Sequence, residues 1–439
     1  MLAQKYYYKS YLINFFLVTI PFSYIAGNSI LNLNILLLVL SSVFFFYKEI
    51  TRIELNKIDK LILIFFLYVF FNGVINNFYN FNFPNAPSEN LVLYKSFFFM
   101  RFLILYFILR LLIQKNIVNY KLLFYSWGLA CLFVSIDVII QNYYGKDLFG
   151  FEKTDNRRLG GPFGNEYIAG GFVLKFFIFT LFSILIFKNL DKKKVLLNFI
   201  ILTILTISGL SIIFSGNRIP LLFFIISLFL VFIFEKKIRL LLITVLVIFI
   251  SIFSFLYKTN QDTFYSYVRF AHKSLQIADY VKSKIFTDEI KLYNSHIKEI
   301  ETGIMTWKLN KTLGGGIKSF YFNCQKIDKF IINNYIKSCN SHPHNYYLEI
   351  LSLLGLVGFI IIVLLFSFII KKALEVFMLS EDFKIKKRLL TPFFIIFIIE
   401  IFPFKTTGSF FTSSNASFLF ILIAFIVGLA ETKKINYHE

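Results

Sequence analysis

Residues 341–370 read SHPHNYYLEILSLLGLVGFIIIVLLFSFII, and this stretch joins the two properties that decide the fold and point toward chemistry. From Tyr346 onward the run is almost wholly apolar, and at 1.5 Å per helical residue it is long enough to cross a bilayer. Directly before it stand His342 and His344, two of only five histidines in 439 residues, with Pro343 between them and Asn345 after. A titratable cluster at the lip of a membrane helix is expensive and usually functional. Histidine is the side chain best able to take or give a proton near neutral pH. The plainer alternative is an interfacial helix start, with Asn345 capping and the tyrosines anchored among headgroups.

Runs of the same kind recur. The chain is 57% hydrophobic and 16% charged, with 60 phenylalanines. Twelve spans are expected, at 10–27, 29–47, 59–78, 91–113, 122–143, 167–187, 195–214, 219–234, 239–257, 346–370, 389–403 and 415–430. Barrel strands would alternate apolar and polar residues over about ten positions, and these runs do not, so the expected fold class is all-α and polytopic. No cleavable signal peptide is expected, since the first span runs almost directly into the second without a small-residue cleavage site.

The Lys and Arg pattern orients the spans. With a cytoplasmic N-terminus, 24 of the 46 fall in cytoplasmic segments and 6 in short outer loops. Another 13 lie in 258–345 and 3 inside spans (Lys95, Arg101, Lys175). This is a strong positive-inside bias. The net charge of +21 therefore reflects topology and a Lys-rich composition, and does not point to nucleic acid. No Gly-rich phosphate cradle, CxxC pair or HExxH is present, so soluble ATPase and zinc-enzyme readings have no motif behind them.

The expected organisation is spans 1–9 over 1–257, one large outer, periplasmic segment at 258–345 between the ninth and tenth spans, and spans 10–12 with a cytoplasmic tail over 346–439. The long segment holds aromatic positions, a Gly run (Gly314, Gly315, Gly316) and few prolines. Long segments of this kind are usually functional. Spacing predicts helices over 262–284 and 297–311, the second ending at the glycines. Cys324 and Cys339 both lie in this segment. An outer compartment permits oxidation, so the two are expected to pair, which contributes about 3 kcal/mol on the chain-entropy estimate; two free thiols are the alternative. Cys131 lies mid-span as a packing residue.

Other polar residues sit in unusual places. SGNRIPLL (215–222) puts Arg218 at the outer edge of a span, after a Ser-Gly-Asn turn and before a proline suited to a first helical turn. A snorkelling arginine is the alternative, but that reading favours the cytoplasmic side. NRRLGGPFGNEYIAGG (156–171) carries Arg157, Arg158 and Glu166 in a short outer loop that departs from the positive-inside trend, as an anion-binding loop would. Arg269 lies in YVRFAHKS (267–274), just beyond the ninth span, where an ordinary surface role is equally open. Arginine suits phosphate through its planar fork, and histidine suits deprotonation of a hydroxyl. Together they fit a lipid-diphosphate-linked donor and a hydroxyl acceptor.

These motifs carry a family resemblance. SHPHNYYLEILSLLGLVG resembles the HN-x-x-L…LG-x-x-G signature of the O-antigen ligase and O-antigen polymerase superfamily. MTWKLNKTLGGGIKSFYF (305–322) resembles that family's short helix and G-x-G-x-x-x-F segment, SGNRIPLL its SGSR-G or SGER-T element, and GPFGNEYIAGGFV (161–173) its GxFGN-x-x-x-G element. All four occur in the family's order over about 150–360, while the first 150 residues match in span pattern alone. Asn217 stands where Ser or Glu is usual, and LSLLG lacks an acidic residue before its glycine.

The resemblance implies a membrane-embedded glycosyltransferase of the bacterial inner membrane. Its donor would be a polyprenyl-diphosphate-linked glycan, and its acceptor a lipid A-core or another glycan. The active site would face the periplasm, with no cofactor and no metal. By the same likeness His344 assists the acceptor, and Arg218, with Arg269, Arg157 and Arg158, holds the diphosphate; Asn345, Glu166 and His342 are expected as supporting residues. Ligase and polymerase share this donor chemistry and differ in acceptor. A transporter of lipid-linked glycans is a further alternative. Transporters tend to show repeated halves and broken helices near the midplane, whereas here the unusual polar residues cluster at one edge.

Overall fold

The computed structural model describes residues 2–50, 52–80, 90–154, 158–188, 194–259, 261–286, 295–327, 338–379 and 383–432. Among the described residues the chain is helical, with no strand beyond one antiparallel bridge, Lys146 to Glu152. The helices are α1 Leu2–Val18, α2 Ile20–Ile25, α3 Asn28–Ile50, α4 Lys57–Ile75, α5 Leu91–Phe99, α6 Arg101–Gln114, α7 Tyr120–Tyr144, α8 Ala169–Phe187 and α9 Lys194–Phe214. They continue as α10 Arg218–Phe234, α11 Arg239–Thr259, α12 Gln261–Phe286, α13 Ser295–Leu309, α14 Phe320–Gln325, α15 Tyr346–Phe377, α16 Lys384–Glu400 and α17 Ser413–Glu431.

Each expected span has a helical counterpart, but among the described residues nine helices, with α5 and α6 counted together as Leu91–Gln114, and not twelve, are long and apolar enough to cross a membrane. The shortfall has local causes. The stretch 10–27 breaks at Thr19 into α1 and α2, with Pro21 in the first turn of α2. The stretch 219–234 is the 17-residue α10, bounded by the Ser-Gly-Asn turn and Glu235. The stretch 389–403 is only the apolar part of α16, whose first turns carry Lys384, Lys386, Lys387 and Arg388. Nine such helices make the chain a multi-pass membrane protein.

Lipid tails are as apolar as leucine, so packing geometry rather than water exclusion holds spans together. Phe393 of α16 stacks on Phe425 of α17 at 4.2 Å, and Trp127 of α7 meets Phe179 of α8 edge-on at 4.7 Å. Trp127 Nε1 donates to the Leu17 carbonyl at 3.1 Å, which satisfies the indole in the core. Several buried charges at one end of the bundle have partners. Arg110 reaches Asp59 at 2.9 Å and Glu431 at 2.8 Å, joining the start of α4 to the ends of α6 and α17. Arg388 meets Glu235 at 3.0 Å, joining α16 to α10. Lys386 Nζ donates to the carbonyls of Ala430 and Thr432, both at 2.9 Å. Charges this deep persist when both partners are present and hydrogen-bonded.

The segment 258–345 follows α11 almost without a break. α12 and α13 occupy the two stretches that spacing predicts as helices. Beyond them, 311–316 runs against a break in α15. Gly355 has φ +67 and ψ −168, so the helix is interrupted there. The backbone groups it frees are taken up by the glycine run: Gly315 N donates to Ser352 O (3.1 Å) and Gly316 N to Leu353 O (2.7 Å), while Leu356 N donates to Lys311 O (2.9 Å) and Val357 N to Thr312 O (3.3 Å). Tyr68 of α4 donates its hydroxyl to Leu354 O at 2.6 Å. Backbone polar groups in a bilayer need partners inside the protein, and this exchange supplies them.

Candidate functional site

The end of the bundle opposite the Arg110 and Arg388 ion pairs gathers the sequence motifs. Ser215, Gly216 and Asn217 turn the chain between α9 and α10, with Gly216 at φ +66. Asn217 Nδ2 donates to Ser215 Oγ at 3.1 Å, and Arg218 begins α10, half-buried. Gly170, the first glycine of the AGG in 169–171, lies against this turn. A Cβ there would fall 2.4 Å from Ser215 Oγ and 2.9 Å from Asn217 Cβ, so only glycine permits the approach. The glycine turn at 161–164 is held in turn by α7, where Gly161 N donates to Gln141 Oε1 at 2.9 Å. Two of the four motifs are thus packed on one another.

α12 meets the same turn. Tyr267 OH donates to Ile213 O at 2.9 Å. Burial pushes the Tyr267 hydroxyl well up, and the neighbouring Arg218 guanidinium opposes that shift. Arg269, two residues on, is exposed on α12, as is Arg158 at the start of its described segment. Glu166 is exposed at the glycine turn. Arg157 lies outside the described residues. Of the three described arginines expected to hold a diphosphate, Arg218 is the one built into packed structure.

At the second half of the site, Asn345 caps α15, its Oδ1 accepting from Tyr347 N (3.0 Å) and Leu348 N (3.1 Å). Its Nδ2 donates to Pro403 O at 2.7 Å, which ties the helix start to the loop between α16 and α17. His344, just before the cap, has φ +52, a left-handed backbone uncommon outside glycine. Although Pro343 separates His342 from His344 in the chain, the two ring centroids lie 4.3 Å apart. His342 Nδ1 lies 2.9 Å from Ser341 Oγ. Burial, followed by the charges of His344 and Lys318, pushes His342 down to about 4, so its ring is neutral at pH 7.

α13 lines this histidine segment. Thr302 Oγ1 accepts from Ser338 N at 3.2 Å, and Glu299 Oε1 accepts from Asn340 Nδ2 at 3.4 Å. A Cβ on Gly303 would lie 3.4 Å from Pro343 Cβ. Cys324 and Cys339 form a disulfide with Cα atoms 5.6 Å apart, closing the segment between α14 and the histidines.

Several polar residues here were not singled out from sequence. Glu349 is buried one turn into α15, accepting from Ser409 Oγ (2.6 Å) and Phe410 N (2.7 Å). Glu400 accepts from Lys405 Nζ (2.6 Å) and Tyr346 OH (3.2 Å). Lys175 donates to Asn415 at 2.9 Å. The available signal was an ionisable residue inside an apolar run, which is rarely idle. These bonds fix the loop 401–412 beneath the histidines. Phe402 of that loop meets Phe223 of α10 at 5.4 Å, so the loop bridges the helix begun by Arg218 and the helix capped by Asn345. Among the described residues no group of three or more His, Cys, Asp or Glu side chains could hold a metal ion.

The comparison with known families falls on the same region. Residues 201–363 match the family model described as O-antigen ligase. That match includes Arg218, Arg269, His342 and His344, the broken helix and the glycine run that seals it. No curated protein matches the chain. Through this segment, which is less than half of the chain, the protein is similar to the O-antigen ligase family.

Proposed function

We propose that the protein is a membrane-embedded glycosyltransferase that moves a glycan from a polyprenyl-diphosphate carrier to a sugar hydroxyl of a lipid A-core, at the periplasmic face of the bacterial inner membrane. In this reading Arg218, supported by Arg269, Arg157 and Arg158, holds the diphosphate through charge-assisted hydrogen bonds. His344 takes the proton of the acceptor hydroxyl as its oxygen attacks the anomeric carbon. The bond from that carbon to the diphosphate oxygen breaks, and the electron pair leaves on the diphosphate, whose growing charge the arginine stabilises. His342, neutral beside it, shapes the pocket in which His344 works.

The observation that carries the reading is the convergence within the family-matching segment of a positioned arginine turn and a histidine pair, linked by the Phe402 loop. Deletion of the gene followed by gel analysis of lipopolysaccharide tests it. Loss of all polymer on the lipid A-core is expected. Retention of a single repeat unit would assign the same donor chemistry to a polymerase, and unchanged polymer would reject both.

A further inference from the structure

Glu299 belongs to neither the arginine turn nor the histidine motif, yet it lies against the histidine segment. It sits on α13, one turn before Gly303, whose face touches Pro343. Its Oε1 accepts from Asn340 Nδ2 at 3.4 Å, and its Oε2 lies 3.3 Å from His296 Nδ1. Three successive points of α13 (Glu299, Thr302 and Gly303) thus hold 338–343 along its length. Partial burial works to raise the Glu299 carboxyl, but the His296 hydrogen bond and the charges of His344, His296 and His342 outweigh it and hold the group below the usual carboxylate range. A carboxylate that stays ionised beside a histidine base is the arrangement that stabilises an imidazolium.

We propose that Glu299 is a positioning residue for the histidine base, holding the 338–344 segment in register and stabilising the imidazolium formed when His344 accepts the acceptor's proton. The proposal rests on the reading of His344 as the base. Among the described residues, the charged groups acting on His342 are His344, Lys318 from the segment before α14 and Glu299 from α13, and His296 of α13 pairs with Glu299. Glu299 is the anion among these, so its removal withdraws the negative charge that acts on the histidine pair.

The test uses the full-length protein in lipid nanodiscs. Histidine ring signals are followed by NMR against pH in wild type, Glu299→Gln and Glu299→Asp, with His344 assigned through His344→Ala. Glutamine keeps the length and the Asn340 contact while removing the charge. The His344 titration is expected to move down by about half a unit or more in Glu299→Gln and to return toward wild type in Glu299→Asp. Transfer at pH 7 should fall about tenfold or more in Glu299→Gln, with the acid limb of the pH–rate profile displaced to lower pH. An unmoved histidine titration overturns the role of Glu299 alone. A moved titration combined with full transfer by His344→Ala overturns the base assignment, and the catalytic role of Glu299 with it.

Discussion

Gly314 and Gly355 lie back to back, forty-one positions apart in sequence. A Cβ on Gly314 would fall 2.5 Å from Gly355 N, and one on Gly355 would fall 2.6 Å from Gly314 N and 2.1 Å from Thr312 O. Both have positive φ, +72 and +67. The break in α15 and the glycine run are therefore two halves of one joint.

Gly355→Ala and Gly314→Ala should each destabilise the protein by about 2 kcal/mol or more, combining left-handed strain with a backbone clash. Gly171→Ala is the control, because nothing lies within 4 Å of a Cβ there. Thermal unfolding in detergent checks this: a lowered midpoint for the first two and an unchanged one for the third are expected.

Arg218→Ala and Arg218→Lys should both impair transfer, since lysine cannot reproduce the bidentate fork. Complementation of a deletion strain reads the effect. Full activity of Arg218→Lys would reduce Arg218 to an interfacial anchor.

His344→Ala should lower transfer by about 10²–10⁴-fold while the protein stays in the membrane. His342→Ala should retain more activity. Equal loss in both, with low protein levels, would assign the motif a purely architectural role.

His342 has a second, separable effect. Its folded value is depressed from 6.5 to about 4, so between those pH values the unfolded chain binds the extra proton. Stability from this group is thus fully present above about 6.5 and lost as pH falls toward 4. Unfolding midpoints measured from pH 7 to pH 4 should fall less steeply in His342→Gln than in wild type.

Reduction of Cys324–Cys339 should lower stability by about 3 kcal/mol on the chain-entropy estimate. Non-reduced peptide mass spectrometry of protein isolated under oxidising conditions should recover the linked pair. A reporter fused at residue 300 should read as periplasmic, and one at the C-terminus as cytoplasmic; a cytoplasmic signal at 300 would remove the donor from reach of the proposed site.

Much of this was legible in the sequence, and for physical reasons. Apolar run length placed every helix that crosses the bundle, and an asparagine before such a run marked the cap of α15. The helices α12 and α13 announced themselves by spacing. What was not legible depends on pairing across distance. The Gly314–Gly355 joint needs two remote positions at once, and either glycine alone reads as an ordinary turn or a tolerated residue in a span. Glu299 lies in a mixed helix where a glutamate is unremarkable. Pro343 reads as a pivot separating two histidines, yet their rings lie 4.3 Å apart. The count of twelve treated apolar length as uninterrupted, and a break at Thr19 and a charged start to α16 shorten two of those runs.

The bonds from Glu349 to Ser409 and Phe410, and from Asn345 to Pro403, set an order of assembly. Every residue of the four motifs has been synthesised before α16 begins, yet the Asn345 amide nitrogen and the buried Glu349 carboxylate at the start of α15 meet these partners only when 403–410 arrives. The glycine run likewise precedes in the chain the helix α15 that it seals. Competence is therefore acquired in the last steps of insertion, and a chain that stops after α15 would carry the whole signature without a working mouth.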